Sequence, residues 1–206
     1  TKELALISVL SSLWIVSEIY LGPVISQTIQ VHGVVQRLFG WFLMLIMARL
    51  TGKFGRITMM SIIASLATRI IRPGQLYSLF VGLGYALGGL IFDSLYFVPN
   101  SKKTKGDTTR IYLLIISAIS GLAATIPYQF FKLYTLGYYG YLIWVPLYSY
   151  DMAKGVALSV LGTMIGISLL PQIDIWTPKI SGSKRQIPMR GSHKGAAAHN
   201  IEVYSE

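Results

Sequence analysis

The 206-residue chain contains no cysteine, so disulfides, thiolate-metal centres and cysteine nucleophiles are excluded. Histidine is nearly as scarce. Of three, only His32 lies near an apolar run, which is too few for a bis-histidine haem site or a metal cluster of His and acid at ligand spacing. There is no Gly-x-Ser-x-Gly elbow, no glycine loop followed by a catalytic lysine, and no pair of carboxylates within one segment. The chain therefore offers no hydrolase, nucleotide-binding or paired-acid motif. Charge is also sparse: 13% of residues are charged and 53% hydrophobic, a balance that belongs to integral membrane proteins. What charge there is leans basic, with a formal net of +10. Nucleic-acid binding would be one reading of that surplus, but the basic residues fall in short clusters between apolar runs, as cytoplasmic loops do.

Against these absences stand six apolar runs: Leu4 to Leu21, Val34 to Leu50, Ile57 to Ile71, Leu76 to Val98, Arg110 to about Phe131, and Met152 to Leu170. Crossing about 30 Å of hydrocarbon takes roughly 20 mostly apolar residues per helix. The expected fold is an all-α polytopic membrane bundle of about six transmembrane helices over residues 1–171. Residues 172–206 then form a polar, basic C-terminal tail that is flexible or laid along a partner. The first run lacks a small-residue cleavage site and is followed by further spans, so it is read as a span rather than a signal peptide. Gly22-Pro23 is expected to end it, and Pro127 to kink or end the fifth run. The segment Leu133 to Tyr150 is rich in tyrosine, glycine and tryptophan and carries no charge, which suits an interfacial or partly re-entrant connection.

Charge placement orients the spans. Lys2, then Arg49, Lys53 and Arg56, then Lys102, Lys103, Lys105 and Arg110, and finally the basic tail fall on one side, whereas the connectors Gly22 to Gly33 and Leu133 to Tyr150 contain no lysine or arginine. By the positive-inside rule both termini are cytoplasmic, and only Arg72 in the Arg-Pro-Gly-Gln turn breaks the pattern.

In that orientation Glu18, Arg37, Arg69, Arg72, Lys132, Asp151 and Lys154 share one outer depth with His32, Gln36, Gln75, Tyr77, Tyr128 and Gln129, ringed by Trp14, Trp41 and the tyrosines up to Tyr150. An ionisable group in a membrane costs on the order of 2.5–3.5 kcal/mol by insertion scales. Several at one level imply a polar pocket open to the outside. The same charges also suit snorkelling and helix pairing, and the aromatics an interface belt or stacking around a flat ligand. Asp93, at the inner end of the fourth run, reads as a cap or lysine partner, or as a group for energy coupling or catalysis. Small residues align at Ala5, Ser8 and Ser12, at Gly84 and Gly88, and at Gly162 and Gly166, permitting close helix approach.

The opening helix, ELALISVLSSLWIVSEIYLGP, carries small residues on a four-residue spacing, and the third and fourth runs read SIIASLATRIIRPGQLYSLFVGLGYALGGLIFD. With about six spans and both ends inside, residues 2 to 170 resemble the substrate-binding S components of energy-coupling factor (ECF) transporters, similar to the thiamine and pyrimidine-precursor types. The resemblance implies a multi-pass protein of the prokaryotic plasma membrane that captures a small water-soluble vitamin or precursor in the outer half of its bundle. ATP hydrolysis by paired ATPases, through a transmembrane coupling subunit, would drive its release inside. The chain itself would hold no cofactor or metal and perform no covalent chemistry. The resemblance makes Ala5, Ser8 and Ser12 the partner face, with serines where the family usually has alanines. Within the pocket, Glu18 and Asp151 are expected to hold amine or hydroxyl groups, and Arg37 and Arg69 a carboxylate, phosphate or carbonyl. Trp14, Trp41, Tyr128 and Tyr139 are expected to stack on a ring, with Gln75 and Gln129 adding polar contacts. Two other classes fit the sequence: a structural or accessory subunit of a larger membrane complex without its own substrate, and a lipid-acting enzyme with essential polar groups near Asp93.

Overall fold

The computed structural model describes residues 2–29, 33–74, 76–97 and 107–176, and every regular element among them is helical. His32, Gln75, the lysines of the loop after the fourth run and residues 177–206 of the tail lie outside the described residues.

Helix α1 (Lys2–Val16) runs into a π-helical turn (Ser17–Leu21) and on into α2 (Gly22–Ile29). The expectation that Gly22-Pro23 ends this helix is therefore corrected. A proline inside a helix lacks a donor and crowds the carbonyl four residues back. Here the turn just before Pro23 is widened, closed by the Gly22 amide donating to the Ser17 carbonyl, and the chain continues. Helix α3 (Val34–Thr51) ends on Gly52, whose left-handed backbone (φ 59°) lets its amide bond the Ala48 carbonyl at 3.0 Å. Then follow α4 (Arg56–Ile71), α5 (Leu76–Phe97), α6 (Asp107–Ala123) and α7 (Ile126–Trp176).

The fifth run is interrupted beside Pro127, as expected: α6 ends at Ala123 and α7 begins at Ile126, so the proline falls in a first helical turn that has no use for the missing amide. The 133–150 segment is helical. It is broken only at Gly137, whose φ of 67° and ψ of 171° fall where glycine alone is at ease, and this divides α7 into arms over 126–136 and 138–176.

Several of these helices are long and apolar enough to cross a membrane: Lys2–Thr28, Val34–Thr51, Leu76–Phe97 and the composite stretch Arg110–Gln172. Around the bundle, α1, α4, α5, α6, α7 and α3 each pack on the next, and α3 closes the ring onto α1 while also touching α4. Helix α3 is the inner element. Trp41, Leu43, Met44, Leu45 and Met47 on it are buried, against Ile7 and Trp14 of α1, Met60 of α4, Phe92 of α5 and Ile116 of α6.

Between lipid-embedded helices, packing rather than water exclusion drives association, and small residues let backbones meet. Gly40 lies under the Trp14 ring, Gly89 against Ser61, Gly84 against the Ala124 carbonyl, Gly121 against Ser159, and Gly162 against the Leu38 backbone. Both glycine pairs noted in the sequence thus face neighbouring helices, Gly84 and Gly88 meeting the α6 end, and Gly162 and Gly166 meeting α3.

One end of the bundle gathers the α1 start, the α3–α4 connection and the α5 terminus. There Glu3 pairs with Lys53 and with Arg56, the latter at 2.8 Å. The fully buried Asp93 reaches across from α5 to the start of α4. Its Oδ2 accepts the Gly55 amide (2.8 Å), the Thr58 amide (3.2 Å) and the Thr58 hydroxyl (2.8 Å), while Oδ1 is buried without a partner among the described residues. Asp93 is a cap supplied by a neighbouring helix, satisfying amides that α4 leaves open.

Candidate functional site

The opposite end holds a partly open cavity of about 750 Å³. Its walls come from the continuation of α1 beyond its π turn, the start of α3, the end of α4, the start of α5, the α6–α7 junction and the second arm of α7. The volume lies in the range of pockets that enclose small organic ligands.

At the floor, the Glu18 carboxylate meets three side chains from two of the walls, α3 and α4. Arg69 Nη1 lies 3.2 Å from Glu18 Oε1, Gln36 Nε2 donates to the same oxygen, and the Thr68 hydroxyl donates to Oε2 at 3.4 Å. Gln36 is held in turn by the Tyr85 hydroxyl, which donates to its Oε1 at 3.1 Å. The Tyr85 ring sits edge-on to both Trp14 (6.1 Å) and Trp41 (6.2 Å), and the Trp41 indole donates to Ser120 Oγ at 2.7 Å. A buried charge is tolerated only when paired and hydrogen-bonded, and Glu18 meets both conditions.

The second acid is paired too: Lys154 Nζ lies 2.7 Å from Asp151 Oδ1, one turn away on α7. Arg37 differs. Its guanidinium touches the Gly121 carbonyl at 3.4 Å and pairs with no carboxylate among the described residues; the exposed Arg72, at the end of α4, likewise has no carboxylate partner among them. The space for the Arg37 head comes from Gly155, because a β-carbon there would fall on the guanidinium itself. Tyr77 and Tyr128 stand edge-to-face at 6.4 Å on the wall, with Lys132 5.4 Å above the Tyr128 ring. The Tyr141 hydroxyl donates to the Gln129 amide oxygen at 3.2 Å.

Of the residues singled out in the sequence, Glu18, Arg37, Arg69, Tyr128, Gln129 and Asp151 line this one cavity. Trp14 and Trp41 are buried beneath its floor, buttressing Tyr85 rather than facing the space. Tyr139 is away from the lining and 82% exposed, on the far side of the Gly137 break. Gln75 lies outside the described residues. Thr68, Ser26, Ser78 and Thr125 line the cavity without having been singled out; neutral hydroxyls carry no desolvation alarm in an apolar run. Ala5, Ser8 and Ser12 form an exposed face along α1, with Ile7, Leu10 and Trp14 buried on its other side.

Comparison with family models, with curated proteins and with solved structures finds nothing that matches this chain.

Proposed function

We propose that the protein is a membrane-embedded capture subunit for a small water-soluble solute of the vitamin or precursor kind, working as the S component of an ECF-type uptake transporter. The observation that carries this reading is the convergence of charged and hydroxyl-bearing side chains from every wall on one cavity, at one end of a bundle of long apolar helices. Polar groups in a membrane bundle are expensive and cluster where a solute or ion is handled. In this reading the cavity end faces outward and the Lys53–Arg56 end lies in the cytoplasm of a prokaryotic cell, in accord with the placement of positive charge. The chain binds and releases without covalent chemistry. The exposed Ala5, Ser8 and Ser12 face of α1 docks on a transmembrane coupling subunit, and partner ATPases supply the energy.

The test is ligand-induced stabilisation of the purified protein across a panel of vitamins and their precursors. A melting temperature unmoved by every compound would sink the reading. An accessory subunit without a substrate has one observation in its favour, that Glu18 and Asp151 already find cationic partners within the chain. Neutralising Arg37 tells the two apart. A capture protein loses its ligand and stays folded, whereas a purely structural subunit has no binding to lose and shows only a change in stability.

A further inference from the structure

We propose that the ligand of this cavity carries a carboxylate or phosphate group, received by Arg37 from a seat that Gly155 keeps open. This names the substrate class of the capture reading and rests on it.

The argument is one of charge balance inside a confined space. Among the described residues, four basic and two acidic side chains line the cavity. Both acids are committed: Glu18 to Arg69, Gln36 and Thr68, and Asp151 to Lys154. An incoming ammonium group would have to compete with a guanidinium for Glu18 or with an ammonium for Asp151. The two cations left over are Arg37 and Arg72, from different walls. Arg37 is half-buried, makes one weak hydrogen bond to a backbone carbonyl and lies beside the Tyr85 hydroxyl, which still leaves most of its five donors without a described acceptor. A planar guanidinium held in this state matches the two oxygens of a carboxylate or phosphate. Its position is built rather than incidental. Helix α7 presents Gly155 where any other residue would push the head group away, and α6 offers the Gly121 carbonyl to steady it.

The arrangement also revises the roles expected of the two arginines. Arg69 serves as the counter-ion of Glu18, and Arg37 is left to meet the ligand.

The experiment compares matched pairs on the purified full chain in detergent: nicotinate with nicotinamide, pantothenate with pantothenol, pyridoxal phosphate with pyridoxal, and thiamine monophosphate with thiamine. Stabilisation by the anionic member of at least one pair, with its neutral or cationic counterpart at least tenfold weaker, is the expected result. In Arg37→Gln the preferred anion binds roughly 10- to 100-fold more weakly, as loss of hydrogen bonds to a charged group implies, and Arg37→Lys recovers part of it. Gly155→Ala weakens the same anion by displacing the Arg37 head. Equal or stronger stabilisation by the amide, alcohol or cationic members overturns the anion assignment and leaves the capture reading standing. Stabilisation by none of the compounds overturns both. A lipid headgroup offers the same phosphate chemistry. Protein stabilised by phosphatidylglycerol over phosphatidylcholine, and by no soluble anion, would move the site to lipid and overturn the capture reading. The comparison within pairs is made on the unaltered protein, so it decides the matter even if an Arg37 variant fails to fold.

Discussion

Asp93 offers the sharpest test of how the bundle is held, because its carboxylate is wholly buried and bonded only to the start of α4. In Asp93→Asn one acceptor oxygen remains in place but the charge is gone. Three charge-assisted hydrogen bonds become neutral ones, and since the former are worth about 1.5–3 kcal/mol each and the latter about 0.5–1.5, the geometric cost is offset in part by easier burial of an amide. We expect a net loss of about 1–2 kcal/mol. Asp93→Ala goes further. The Thr58 hydroxyl can turn to another acceptor, but the Gly55 and Thr58 amides cannot, and at about 1–3 kcal/mol per orphaned buried donor the loss should reach about 2–5 kcal/mol. Reversible unfolding in mixed micelles by titration with dodecyl sulfate, followed through tryptophan fluorescence, reads both values. Binding at the distant cavity should survive in whatever fraction remains folded. An Asp93→Asn protein that unfolds like the parent yet has lost uptake or turnover would refute the capping argument and restore a chemical role for this carboxylate.

Other consequences can be measured in the same way. Glu18 and Arg69 have side chains only 6% and 14% exposed, so removing either partner strands a buried charge, at about 3–5 kcal/mol. The double variant Glu18→Gln with Arg69→Gln should cost clearly less than the two singles added, and strict additivity would show that they are not coupled. Gly84→Ala drives a methyl into the Ala124 carbonyl between α5 and α6, with an expected loss of about 1–3 kcal/mol; an unchanged unfolding curve would contradict the close approach. Gly137→Ala places an L-residue at φ 67° and ψ 171°, and should cost about 1–3 kcal/mol by dodecyl sulfate titration unless the two arms of α7 reorient. Because the chain has no cysteine, single Thr28→Cys and Phe54→Cys variants report topology directly. An impermeant maleimide added to intact cells should label the first and not the second, and the reverse pattern would invert the proposed orientation.

The helical, membrane-type architecture was legible because apolar length is read additively along a chain, with no knowledge of neighbours needed. The cavity's charged members were legible for a related reason. Residues such as Glu18, Arg37 and Arg69 sit a turn or so from the ends of apolar runs, so depth alone brings them together. What depth cannot reveal is rotation about a helix axis. Trp14 and Trp41 lie near the right level but point at Tyr85 in the core, and Tyr139 near the same level points outward. Local punctuation also misleads where tertiary packing intervenes. Gly22-Pro23 looks like a stop only if the preceding turn is an ordinary α turn. The dependence of Arg37 on Gly155 had no local sign, since the two residues meet only after α3 and α7 have packed.

The π turn at Ser17–Leu21 has an effect on phase. Along α1 the buried positions recur as Ile7, Leu10, Trp14 and then Ser17 and Glu18; continued at 3.6 residues per turn they would predict Leu21 and Ile25 next. Instead Leu21 is 44% exposed, and the cavity is lined by Gly22, Pro23, Ser26 and Gln27, one residue later. The extra residue in the turn resets the count by about 100° of helical rotation. A single continuous helix can thus turn an apolar stripe toward the core over its first half and a polar one toward the cavity over its second. Deleting one residue from that turn would leave composition, length and hydropathy almost unaltered, yet the two stripes could no longer both face inward.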